Sequence, residues 1–141
     1  MTEKSISLDV KESLTEKFDL VSPYQCGQDW EYINVLDTNE LIDPLVDALE
    51  GAELSEEERY ATMLIVVNSI DSLIEPEKPL PEVWKKTAAL LRSNFQAFEP
   101  VVRQYISLDK KPEDRFRICK HLLAEFPELD SDEEPAANPE G

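Results

Sequence analysis

Between Leu54 and Glu75 the chain reads LSEEERYATMLIVVNSIDSLIE, and no other stretch sets so many large apolar residues so close together. Its start is encoded by Ser55 and Glu58. A serine at the cap position accepts an amide proton of the first turn, and a glutamate three residues on reaches back to the serine's own N–H. Glu56 and Glu57 add negative charge at the positive end of the helix dipole. Tyr60, Met63, Leu64, Val67, Ile70 and Ile74 recur at helical spacing, and Ala61, Ile65, Val66 and Leu73 widen the stripe until almost no polar face remains around Met63–Val67. The competing assignment is a strand at Met63–Val67, where three of five residues are β-branched. The cap and the length of about 20 residues favour a helix, and one apolar on nearly every side needs neighbours around it.

The remaining segments supply those neighbours. Residues 38–51 read as a turn and a short helix: Asp43 is placed to cap it, Pro44 to take its first position, Leu45, Val46 and Leu49 to form its apolar side, and Gly51 to end it in the left-handed conformation. Three prolines in Glu75–Pro81 make a stiff connector. Pro81 then opens a helix whose apolar positions, Trp84, Ala88, Leu91, Phe95, Phe98, Val102 and Tyr105, alternate by four and three. The additional apolar residues Val83, Leu90, Val101 and Ile106 favour a seam inside a bundle over a coiled-coil strand. Pro100 falls within this pattern and predicts a kink, or a fresh start with Glu99 on the cap side. A last helix spans Pro112 to Phe126, with Phe116, Cys119, Leu122, Leu123 and Phe126 as its core stripe and Pro127 closing it.

The N-terminal segment has two readings. Ile6, Leu8 and Val10 alternate as in a strand, whereas Ile6, Val10, Leu14, Phe18 and Val21 form a helical stripe, with Ser13 and Glu16 as a second capping box. Helix is favoured from Ser13, ending at Ser22-Pro23. Pro23–Asp37, with Gly27 as a turn point and Trp30, Tyr32, Ile33, Val35 and Leu36 after it, suits either a short strand paired with Ile6–Val10 or an irregular segment that plugs its aromatics into the bundle. The expected fold is all-α: one domain over 1–127, a small bundle of four to six helices with a minor β-hairpin near the N-terminus left open, then a disordered acidic tail at 128–141.

A chain of 141 residues buries roughly two-thirds of its unfolded surface on folding, enough for a core without staples. Cys26 and Cys119 lie far apart with no CxxC pattern, which suits free thiols in a reducing cytosol. The first residues carry charge where a secretory signal needs an apolar core, and no apolar run approaches the ~20 residues that span a bilayer, so the expected location is cytoplasmic with no membrane contact.

Charge is the unusual property. The formal net charge is −17, and it is unevenly placed: residues 1–75 hold eighteen acids and four bases, residues 76–127 seven acids and ten bases, and residues 128–141 six acids and no base. Between Phe18 and Glu75 the only basic residue is Arg59. Self-repulsion of this kind costs stability, and solubility is reached with less charge, so the acidic half points to a basic partner. A nucleic-acid patch around Lys110, Lys111, Arg115, Arg117 and Lys120 is opposed by the charge of the whole chain.

Catalytic patterns are not found. His121, the single histidine, is one residue from Cys119, so on a helix the two diverge and offer no zinc pair. Position 118 is isoleucine, which breaks the Glu-x-x-His pattern of di-iron bundles, and three glycines write no phosphate-cradling loop. The expectation is a non-enzymatic protein without cofactor or metal that docks on a basic protein as an inhibitor, immunity protein or adaptor. Its docking residues are Trp30, Tyr32, Asp37, Glu40, Asp43, Asp47, Glu50, Glu56, Glu57 and Glu58. A DNA mimic that occupies a nucleic-acid-binding protein and an enzyme with an unrecognised helical site are the alternatives.

Overall fold

The computed structural model describes residues 7–20, 22, 24, 30, 34, 36–51, 53–75, 78–106, 116–127 and 129. Six helices are described, with no strand among the described residues: α1 is Leu8–Phe18, α2 Asn39–Glu50, α3 Glu56–Leu73, α4 Val83–Ser93, α5 Phe95–Tyr105 and α6 Cys119–Glu125. None of these helices is long and apolar enough to cross a membrane.

The central helix forms as its sequence dictates. Ser55 Oγ accepts the Glu58 amide at 3.2 Å and Glu58 Oε1 accepts the Ser55 amide at 2.9 Å, a complete capping box. Tyr60 through Val67 are all buried, as are Ser69 and Ile70, because α1, α2, α4 and α5 all pack around α3. Other elements are pinned to it by polar contacts. Tyr105 donates its hydroxyl to Asn68 Oδ1 (3.1 Å), the Leu36 amide donates to Ser69 Oγ (2.9 Å), and the Ile118 amide donates to Asp71 Oδ1 (2.8 Å). Thr62 is wholly buried, and its hydroxyl has no hydrogen-bond partner among the described residues.

Several boundaries differ from the sequence expectation. Leu8 and Val10 lie in α1, so the alternation there does not make a strand; Ser7, not Ser13, is the cap, its Oγ accepting the Val10 amide at 3.3 Å. Ser13 is used across the interface instead, donating to Glu58 Oε2 at 2.6 Å. The helix stops at Phe18, ahead of Ser22-Pro23, because Asp19 takes the left-handed conformation (φ 56°, ψ 51°), which an aspartate tolerates better than most residues. Of the aromatic segment 23–37, Trp30 is wholly buried with its indole N–H on Thr15 Oγ1 at 3.1 Å, and the Asn34 side chain donates to the Trp30 carbonyl at 2.9 Å. Tyr32, Ile33, Val35 and Cys26 lie outside the described residues.

α2 starts a turn earlier than expected: Thr38, not Asp43, caps it, accepting the Leu41 amide at 3.2 Å, and the extra turn buries Ile42. Pro44 therefore sits inside the helix, and Gly51 is extended (φ −86°, ψ −171°) instead of left-handed. The last α2 carbonyls are satisfied from α3, where the Arg59 guanidinium donates to Leu49 O (2.8 Å) and Gly51 O (3.3 Å). The long periodic segment is two helices broken at Asn94, not at Pro100. The Asn94 side chain donates to Leu90 O (3.3 Å), and its carbonyl accepts the Ala97 and Phe98 amides at 3.0 and 3.1 Å. Pro100 is then the sixth residue of α5, as Pro44 is of α2, and the carbonyl each leaves unpaired belongs to a residue with an exposed side chain, Gln96 and Glu40.

The C-terminal helix is shorter than expected. Phe116 precedes it in non-helical conformation, and α6 begins at Cys119, whose thiol is buried and free. Phe116 packs on Tyr105 (ring centroids 4.5 Å apart) and Phe126 on Phe95 (5.1 Å), while Arg92 pairs with Glu125. Leu129, placed by sequence in the tail, is 3% exposed and part of the core. The rest of that tail lies outside the described residues.

Candidate docking surface

The ten candidate residues fall into groups with different environments. Trp30, expected as an aromatic anchor on the surface, belongs to the core and cannot meet a partner without local unfolding. Tyr32 lies outside the described residues. Glu57 and Glu58 hold α1 to the start of α3: a Glu57 carboxylate oxygen accepts the Ser7 amide at 2.9 Å, and Glu58 accepts both the Ser13 hydroxyl and the Ser55 amide. Those hydrogen bonds, that of Ser13 foremost, lower the Glu58 pKa below the usual glutamate range and keep it ionised. Glu56 is exposed beside them.

The other five gather on α2 and its entry. Asp37 is exposed just before the Thr38 cap. On a helix of 3.6 residues per turn, the buried Ile42, Leu45, Val46 and Leu49 define the inner face. The outer surface divides lengthwise: Glu40, Asp43, Asp47 and Glu50 follow one strip, and Leu41, Pro44 and Ala48 follow the strip beside it. Leu41 is 51% exposed, one of three large hydrophobic residues exposed among the described residues. Its spacing to Pro44 and Ala48 runs off the inner face, so it belongs to no buried stripe; as an outer stripe, the three are visible in the sequence.

The electrostatics of the acidic strip depend on two cations. Arg59, the only base between Phe18 and Glu75, has turned its guanidinium to the α2 carbonyls, with its charge 5.6 Å from the centre of the Phe98 ring. It acts as a helix cap at the negative end of the dipole. Lys86, on the solvent side of α4, inserts its ammonium between Asp43 (3.2 Å) and Asp47 (3.3 Å), one turn apart on α2. The two carboxylates raise the lysine pKa. Sequence reasoning missed this cross-helix clamp, since it requires knowing that α2 and α4 lie side by side. Glu40 and Glu50 are exposed with no ion pair among the described contacts.

Elsewhere, His121 has its pKa lowered by burial and by Lys120 beside it, so its neutral form is favoured. No three His, Cys, Asp or Glu side chains among the described residues converge as metal ligands would. The chain matches no protein-family model, no curated protein and no solved structure.

Proposed function

We propose that this chain is a cytoplasmic, non-enzymatic binding module whose α2 surface docks on a basic protein partner, acting as an inhibitor, immunity protein or adaptor. The observation that carries this function is the outer surface of α2: four carboxylates in one strip, with Arg59 committed to helix capping and one lysine from α4 reaching two of the four, Asp43 and Asp47. Carboxylates arranged in a row speed encounter with a positive surface and select against acidic competitors, while adjoining apolar area supplies affinity. A field of this sign also repels nucleic acid, so a partner that itself binds DNA would meet the chain through its basic surface and not through a shared duplex.

The test is capture from native lysate by the tagged chain at low and high salt, with nuclease treatment in parallel. The expected outcome is one basic protein retained near one-to-one, weakened by salt and indifferent to nuclease. Loss of that protein to added DNA would make the chain a duplex mimic. Absence of any stoichiometric partner under all conditions would make the acidic surface incidental.

A further inference from the structure

The clamp on Lys86 shows what Asp43 and Asp47 are arranged to hold. Two carboxylates one helical turn apart grip an ammonium at 3.2 and 3.3 Å. All three side chains are open to solvent, at 42% for Asp43, 60% for Asp47 and 46% for Lys86, so the contact is exchangeable. Beside it runs the apolar strip of Leu41, Pro44 and Ala48, the first two exposed and Ala48 half-buried against the core, at intervals of three and four residues and about 10 Å long at the helical rise. A strip of that spacing offers ridges and grooves at the pitch of a second helix, and the acidic row along its edge sets the sign of charge such a helix must carry.

Resting on the proposed function above, we infer that α2 receives an amphipathic basic helix of the partner protein. Its apolar residues cover Leu41, Pro44 and Ala48, and one of its lysine or arginine side chains displaces Lys86 from between Asp43 and Asp47. Lys86 is thus an internal competitor that occupies the cation position until the partner arrives. The consequence is opposite to that of an ordinary stabilising ion pair: deleting Lys86 strengthens binding.

The probe is a synthetic Leu/Lys peptide with leucines at helical spacing, titrated calorimetrically at low ionic strength into the full chain. A scrambled peptide of the same composition serves as comparison. Lys86→Ala should tighten the helical peptide about two- to five-fold, the value of releasing an exposed ion pair. Lys85→Ala changes the net charge equally at an exposed neighbour outside the clamp and should tighten it much less. Leu41→Ala should weaken it about five-fold through lost apolar contact. The scrambled peptide should bind more weakly than the helical one and be insensitive to Leu41→Ala.

The inference is overturned if Lys86→Ala and Lys85→Ala act alike, if Leu41→Ala has no effect, or if the two peptides bind equally. The acidic-surface function survives those outcomes provided that neutralising Glu40, Asp43, Asp47 and Glu50 together still abolishes binding. No binding of either peptide overturns the inference, and no basic protein retained from lysate overturns the function beneath it.

Discussion

Single side chains on α3 define stability effects that contact with a partner does not explain. Thr62 buries a hydroxyl that has no hydrogen-bond partner among the described residues, and an unmet buried polar group costs about 1–3 kcal/mol. Thr62→Val keeps the shape and removes the hydroxyl, so urea unfolding should show a gain of about 1 kcal/mol; a loss would mean that the hydroxyl is satisfied in solution. Asp71 and Glu58 should respond to pH in opposite senses. Burial raises the Asp71 pKa despite the Ile118 amide and the nearby Arg117. A raised folded-state pKa means stability that is present at low pH and lost as pH rises through it. Asp71→Asn mimics the protonated form, so wild type should gain on this variant as pH falls from above the usual aspartate range down to it. Glu58 has a lowered pKa, so its contribution is present above the ordinary glutamate range and lost as pH falls below it. Thermal melts of wild type, Asp71→Asn and Glu58→Gln across that range check both signs, and parallel curves for the three would refute them.

Among the elements, α3 was legible nearly to the residue, because a complete capping box and an all-round apolar run depend on local chemistry alone. Ser55→Ala should cost about 1 kcal/mol in thermal or urea unfolding, and an unchanged midpoint would show the cap to be redundant. Proline was the less reliable guide. Pro44 was expected at a helix start and Pro100 at a kink or a fresh start, yet both helices begin five residues earlier, after Thr38, whose hydroxyl caps α2, and Asn94, whose backbone carbonyl accepts the first amides of α5. Tertiary burial of Ile42 and Phe98 outweighs the local cost of a proline that leaves one outward carbonyl to water. α1 was ambiguous because Ile6 and Val10 fit both periods while Leu8 fits only the strand, and what decides it is packing on α3 through Val10 and Leu14, which is not local. The acidic residues of the docking surface could be read directly, while their division into a strip beside Leu41 and a clamp on Lys86 could not, since the clamp joins residues about forty positions apart.

For the molecule as a whole, the net charge is −17, and the described residues set Glu40, Asp43, Asp47 and Glu50 in one strip on α2. The N-terminal half holds eighteen of the thirty-one acids, and its arginine is spent on the α2 terminus. The helical bundle supports that strip: α2 packs on both α3 and α4, so the outer carboxylates are held by a packed inner face and not by a loop. If the charge is used for docking, its position matters more than its amount. The direct measurement is capture from lysate by three versions of the tagged chain: wild type, Asp43→Lys/Asp47→Lys/Glu50→Lys, and Asp9→Lys/Glu16→Lys/Asp19→Lys, which changes the net charge equally at exposed sites on α1 and its C-terminal cap. A partner retained by wild type and by the second triple variant, and lost from the first, is the predicted result. Equal retention by all three, or equal loss from both variants, would show that α2 is not the docking surface.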